Sequence, residues 1–251
     1  MKNPYLEQEP YFSIVIPAHN EEQYIDRCIK SIEEAAKQTD KPIELIVVCN
    51  RCTDRTAGRA MAHWAKVVYN EDRCIAKTRN AGIREAQGEV VVTIDADNQM
   101  TPGTLSEIDS LIQTGKYMGG GAPIKFERYS FPLILNDLMC RVSFFVTGLY
   151  CGIFWAKKES FDAIGGFVEI KAMEDVATAK ALRKYGRTQK KKYTKLRKNY
   201  LINSTRKFDD MGDWLYLKLM FKNIGTFIKA AFGKTAGLDK LLDEMFYDYN
   251  K

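Results

Sequence analysis

The chain has 251 residues, 45% of them apolar and 28% charged, with a formal net charge of +6. That length can bury one large α/β core or two small ones. Six cysteines at irregular spacing, and a start (MKNPYLEQEP) without a basic stretch leading into an apolar run, argue against a secreted disulfide scaffold, so a reducing, cytoplasmic compartment is expected. No window reaches the roughly 18 uninterrupted apolar residues of a membrane span. The nearest candidate, Phe131 to Trp155, is broken by Asp137 and Arg141.

In chain order, Phe12 to Pro17 (FSIVIP) reads as a strand. From Asn20 a helix sets Tyr24, Ile25, Cys28, Ile29 and Ile32 on one face. Ile43 to Cys49 is a second strand, Asp54 to Ala65 a second helix, Lys66 to Tyr69 a third strand and Arg73 to Ala86 a third helix. Gly88 ends that helix, and Glu89 to Ile94 (EVVVTI) is a fourth strand. Continuous apolar strands alternating with amphipathic helices imply a mostly parallel sheet covered on both faces, with ligands beyond the carboxyl ends of the strands. The polar clusters His19 to Glu21, Asn50 to Asp54 and Asp95 to Asn98 all fall there.

After Thr101 the pattern becomes mixed. A helix opens at Thr101 and Pro102, a triple glycine lies within Lys116 to Ala122, and an apolar segment runs from Phe131 to Gly148. Cys151 to Ala156 reads as a strand, Ser160 to Ile164 as a short helix, and Asp175 to Tyr185 as an amphipathic helix. The expected organisation is one α/β domain over residues 1–235, with halves at about 12–100 and 101–210, and a helical tail over 212–251. In that tail, Trp214 to Phe232 carries Leu217, Met220, Phe221, Ile224 and Phe227 at near-helical spacing among lysines. It reads either as a helix packed on the domain or as an amphipathic helix on an anionic membrane. The basic run Lys184 to Lys198 is a solvated face or a contact for an anionic partner such as lipid headgroups or a phosphorylated acceptor; nucleic acid is not expected.

Three clusters carry chemistry. Asp95 and Asp97, at i and i+2 after a buried strand, can face one crevice, where a divalent cation bridging them to a diphosphate removes their repulsion. Glu174 and Asp175 begin a helix, where a carboxylate can cap it or take an acceptor proton. Cys49-Asn50-Arg51-Cys52 poses a choice between a redox Cys-x-x-Cys at a strand-to-helix junction and a nucleotide loop.

The ordered set of these stretches resembles the inverting nucleotide-sugar glycosyltransferases of family 2, with the GT-A fold. FSIVIPAHNEE is similar to that family's opening strand and nucleotide loop, and CNRCTDRTA to its second-strand segment. RNAGIREAQGEVVVTIDADNQM resembles its Arg-Asn-x-Gly helix leading to Asp-x-Asp, and GGFVEIKAMEDVATAKALRKYG its Gly-Gly-Phe and Glu-Asp segment. The likeness spans about Phe12 to Gly186. It implies a Rossmann-like GT-A sheet with helices on both faces and a mixed acceptor-side second half.

Position by position, the resemblance implies that Pro17, Asn20 and Glu21 line the nucleotide pocket, with Asn50 and Asp54 near base and ribose. Arg79 would help bind the nucleotide, Asp95 would face ribose and metal, and Asp97 would be the principal ligand of Mg2+ or Mn2+. Asp175 would be the general base, Glu174 would assist the acceptor, and Arg206 would contact the diphosphate. Cys151 to Trp155 and Gly165 to Phe167 match stretches that shape the acceptor side, so Trp155 and Gly166 are expected there. The partners implied are a nucleotide-diphosphate sugar donor and a glycan, lipid-linked or small-molecule acceptor, with peripheral contact at the inner membrane surface as an open alternative.

Cys49 stands where many members have Asp, and His19 replaces a frequent Tyr. The Gln-x-x-Arg-Trp segment of processive members is absent, which favours transfer of one sugar or a few. The motif order disfavours a redox site. Two histidines and no second paired-cysteine motif leave zinc little support. A Rossmann dehydrogenase lacks its Gly-x-Gly-x-x-Gly here, and a P-loop enzyme its Gly-Lys-Ser/Thr. Two rivals remain: a nucleotidyltransferase with a similar α/β core, and a binding module that kept the fold without catalysis.

Overall fold

In the computed structural model, residues 9–170, 173–214 and 218 are described. The first half alternates as expected: β1 (Phe12–Ala18), α1 (Ile25–Ala36), β2 (Ile43–Asn50), α2 (Thr56–Ala62), β3 (Lys66–Asn70), α3 (Ile75–Glu85) and β4 (Val90–Thr93). The second half contains β5 (Gln99–Met100), α4 (Thr104–Gln113), β6 (Tyr117–Gly121), β7 (Ile124–Phe126), α5 (Phe131–Thr147), β8 (Phe154–Lys157), α6 (Lys158–Ile164), α7 (Glu174–Thr188), β9 (Lys192–Lys195), β10 (Leu201–Asn203) and α8 (Arg206–Met211). All but one residue of the expected tail helix, Trp214 to Phe232, beyond Trp214 itself lies outside the described residues.

Seven strands form one sheet in the order β3-β2-β1-β4-β8-β6-β9. The β1, β2, β3 and β4 ladders are parallel, while β8 runs antiparallel between β4 and β6. Strand alternation divides the core between the two faces. Phe12, Ile14 and Ile16 of β1 meet Leu45 and Val47 of β2 on the face covered by α1 and α4. Val15, Ile46, Val48 and Val91 meet Ala76 and Ile83 of α3, with Phe161, Ala179 and Leu182 from α6 and α7, on the other.

The parallel order reverses at β1, between β2 and β4, and this opens a crevice at the strand ends. The ladder between β1 and β4 stops at Val15 and Thr93, so Pro17, which has no N–H to donate, stands past its last rung. A smaller sheet, β5-β10-β7, was not legible from periodicity. It matters because it brings Ser204 and Arg206, at the end of β10, beside the segment after β4: the Ser204 N–H donates to Asn98 Oδ1 at 3.0 Å.

Candidate active site

The loops after β1 and β2 are laced together by side chains. Asn20, with φ of 54°, accepts the Thr53 N–H on Oδ1 at 2.8 Å. Asp54 accepts the Glu22 N–H on Oδ2 at 3.0 Å and the Thr56 N–H on Oδ1 at 2.9 Å. The Thr56 hydroxyl accepts the Glu21 N–H at 2.8 Å. Residues 19–22 are therefore committed to the neighbouring loop, which is why α1 starts at Ile25 instead of Asn20. Burial alone would raise the Asp54 pKa, but its donors outweigh that and lower it.

Asn50 does not present its amide to the crevice. Its Nδ2 donates to the carbonyls of Asn70 and Asp72 and to Asn70 Oδ1, at 3.1, 2.7 and 2.8 Å. In this structure both side chains hold the loop in shape. The nearby Cys49 is buried, Cys52 is partly buried with its thiol 3.4 Å from the Ala18 carbonyl, and neither is in a disulfide.

Two arginines organise the rest. Arg206 forms a two-pronged pair with Glu21 at 2.7 and 2.8 Å and stacks over the Tyr24 ring at 4.9 Å. Its Nε lies 3.2 Å from Asp97 Oδ2, an ion pair without the alignment of a hydrogen bond. Arg79, only 7% exposed, binds Asp95 at 2.8 Å, Glu174 at 2.8 Å and Asp175 at 3.2 Å. It is thus a clamp for carboxylates, with both terminal nitrogens engaged.

Asp95 and Asp97 do not point the same way along an extended chain. The backbone turns at Ala96 and Asp97, with the Asn98 N–H bonded to the Asp95 carbonyl at 3.0 Å. Each carboxylate consequently meets a different arginine, and the two clusters become contiguous.

Glu174 and Asp175 occupy the first turn of α7, after Met173 in the left-handed region with φ of 62°. Among the described residues their carboxylates bond Arg79 and not the N–H groups of their own helix. Capping therefore does not account for them.

The Arg79-Asn80-Ala81-Gly82 stretch does three jobs. Arg79 is the clamp. Asn80, buried, accepts the Phe167 N–H at 2.7 Å and donates to the Phe167 carbonyl at 3.0 Å. Gly82 allows α3 to lie on the sheet, since a Cβ there would sit 2.4 Å from Val15 Cγ1. Gly166, with φ of 83°, is also fixed by Asn80, whose Oδ1 would lie 2.4 Å from an added Cβ.

Trp155 does not line the crevice. Strand alternation turns it into the core on the α1 side, fully buried, while Phe154 faces Phe167 at 5.3 Å. Cys151 is the member of that stretch near Asp175: burial and then the Asp175 and Glu174 charges push its thiol up to about 12. Asn80, Tyr24 and Thr56 were not assigned roles from sequence, although Asn80 lies inside a quoted motif.

The site is strongly acidic, with Glu21, Asp95, Asp97, Glu174 and Asp175 against Arg79 and Arg206 in direct contact. Burial pushes Glu21 up to about 7, with Arg206 opposing and Asp97 and Asp95 adding to the rise. Burial likewise pushes Asp175 up to about 7, against the pull of Arg79 and with Glu174 and Asp95 reinforcing. Asp97 is raised by burial, with Arg206 opposing.

A carboxyl raised in the fold binds more protons folded than unfolded between its two pKa values, so these groups cost stability as pH rises through that window. The lowered carboxyls, such as Asp54 and Asp26, act below the ordinary carboxylate range and do not offset this. In metal-free buffer the thermal midpoint is expected to be lower at pH 8 than at pH 5; equal midpoints would contradict the assigned burial.

The site is thus an acidic crevice at the switch point of a mostly parallel α/β sheet, with a carboxylate pair at a helix start. The family model for glycosyl transferase family 2 matches residues 13–222, and the chain belongs to that family. A curated relative, the undecaprenyl-phosphate 4-deoxy-4-formamido-L-arabinose transferase of Pseudomonas syringae pv. syringae (strain B728a), is 31% identical over 112 residues. That match covers 42% of this chain and 33% of the relative, so the chain spans about a third of its length.

Among solved structures, S. aureus TarS 1–349 in complex with UDP-GlcNAc superposes with a TM-score of 0.59 and 19% identity, covering 77% of this chain and 58% of that one. The mannosyltransferase PcManGT from Pyrobaculum calidifontis, in complex with GDP-Man and Mn2+, gives 0.57 and 20%, covering 75% and 55%. These neighbours are GT-A glycosyltransferases, and the fold is GT-A.

Proposed function

We propose that this chain transfers a sugar from a nucleotide diphosphate to an acceptor hydroxyl with inversion, using a divalent cation and Asp175 as general base. The observation that carries this is the Arg79 clamp. One guanidinium joins Asp95, at the end of a donor-half strand, to Asp175, at the start of α7 in the acceptor half. The donor half is residues 12–100 and the acceptor half 101–210.

The donor set fits a hard cation. Asp95 is 46% exposed and Asp97 18%. Among the described residues no three His, Cys, Asp or Glu side chains gather around one point. Asp95 and Asp97, each paired with a different arginine here, are the carboxylates that would hold Mg2+ or Mn2+, with water and diphosphate supplying further oxygens. When bound, the cation neutralises the diphosphate leaving group. It also answers a physical need: a diphosphate entering a crevice with this excess of carboxylates is otherwise repelled.

Pro17, Asn20 and Glu21 shape the nucleotide loop, and Arg206, paired with Glu21 and Asp97 in the ligand-free chain, is the diphosphate contact in this reading. Asp175 takes the acceptor proton as its oxygen bonds the anomeric carbon; the bond from that carbon to the diphosphate oxygen breaks on the opposite face, which inverts the centre. Asp175, 33% exposed, can be reached by an acceptor, and a base poised near neutrality is effective at neutral pH. Glu174 assists the acceptor from the same turn.

The neighbours' complexes with UDP-GlcNAc and with GDP-Man and Mn2+ support a nucleotide-sugar donor. Incubation with a panel of nucleotide sugars, Mn2+ and candidate acceptors should release a nucleoside diphosphate and a glycoside of inverted anomeric configuration. Pyrophosphate release from a nucleoside triphosphate would instead mark a nucleotidyltransferase.

A further inference from the structure

The helix α5 carries an apolar stripe that the other described residues leave exposed. Phe131, Ile134, Leu138, Val142 and Phe145 follow one another at steps of three and four, and with Val146 each is more than half exposed, Phe145 at 83%. Trp214 packs on Phe131 at 6.3 Å and extends the stripe with a further half-exposed aromatic. Contiguous apolar surface of this kind marks an interaction face.

Beside it, α7 presents Lys180, Arg183, Lys184 and Arg187, all exposed, at steps of three and four. None has an ion-pair partner among the described residues. The two helices meet where Arg183 Nη1 donates to the Thr147 carbonyl, at 2.9 Å, at the end of α5. Lys195 adds a cation there, 4.6 Å from the Tyr150 ring, itself packed on Phe144. The acid within α5, Asp137, is paired with Arg141 at 2.8 Å.

We propose that α5 and the basic face of α7 together dock this chain on an anionic lipid surface, so that the acceptor side of the crevice meets the membrane. An apolar stripe flanked by unneutralised cations has the composition of an interfacial helix, with the apolar side chains entering the acyl boundary and the lysines and arginines at the headgroups. The chain's own tail, 215–251, is the rival occupant, but its six lysines outnumber its four acids. Net basic itself, it matches the α7 face less well than anionic headgroups do. The position also has a consequence for substrate, resting on the transferase reading: Asp175 begins the same α7, and Cys151, four residues past the end of α5, lies in its field. A lipid-linked acceptor held at the headgroups would present its hydroxyl beside the base.

Flotation of the full chain with vesicles of phosphatidylcholine alone, or mixed with phosphatidylglycerol, tests the docking separately from activity. The chain is expected to float with the anionic vesicles only. Phe145→Ser/Val146→Ser and Lys184→Glu/Arg187→Glu should each reduce the bound fraction about tenfold or more, while the thermal shift produced by a nucleotide sugar with Mn2+ stays as in the wild type. The proposal is overturned if the wild type stays in the aqueous layer, or if both variants float as it does. A dimer that forms without lipid and is lost in Phe145→Ser/Val146→Ser would overturn it in favour of a self-interface. Lipid-dependent flotation with no thermal shift for any donor would support docking and remove the transferase reading instead.

Discussion

Replacing Asp175 by Asn is expected to lower kcat about 10²–10⁴-fold, the range removed with a general base, while donor-induced stabilisation is kept. The reason is geometric. Asn preserves the size of the side chain and can still accept from Arg79 Nη1, now 3.2 Å from the carboxylate, but it cannot take a proton from an attacking hydroxyl. In the wild type kcat/KM should rise with pH through about 7, because Asp175 must be ionised to act and burial holds its pKa there. The acidic limb should vanish from whatever activity the variant retains. Retention of full activity would show that another group is the base.

Arg79→Met should be the most destructive single change in the site. It removes the shared partner of Asp95, Glu174 and Asp175 and leaves three neighbouring carboxylates without their cation. Breaking a buried pair costs about 3–5 kcal/mol when the remaining charge cannot reach water. Asp95 and Asp175 are partly exposed, so the lower end of that range is expected. Urea unfolding at pH 8 measures it, and the loss should shrink at pH 5, where raised carboxyls take up protons instead. A loss that is the same at both pH values would mean that Arg79 acts through packing on Phe167, whose ring lies 5.1 Å away.

The parallel half of the sheet and the polar strand ends were legible in the sequence because local signals set them: apolar runs of strand length, helical spacing and residues clustered at junctions. Asp95, Asp97, Glu174 and Asp175 could be found this way, and the fold brings them to one crevice. What was not legible had non-local causes. Which carboxylates an arginine holds depends on what the chain places around it, so the Arg79 clamp could not be read from its motif. Trp155 and Phe154 differ by one position in a strand, and register against β4 and β6 decides which enters the core. Asn50 and Asp54 have the right chemistry for a nucleotide, but backbone donors and acceptors from neighbouring loops engage them first. The small sheet that delivers Arg206 is made of two- and three-residue strands, too short for any periodicity.

The central claim is that Asp95 and Asp97 hold a divalent cation for a nucleotide-diphosphate sugar. It is tested most directly by the thermal midpoint of the wild type and Asp97→Ala with a panel of nucleoside diphosphates and nucleotide sugars, with and without Mn2+. Ligand that binds only the native state raises the midpoint, by about 2.7 kcal/mol of stabilisation at a hundred times Kd. The expected result is a rise for one nucleotide class that requires Mn2+ and disappears in Asp97→Ala. A rise of equal size without the cation, or one that survives in Asp97→Ala, would contradict it.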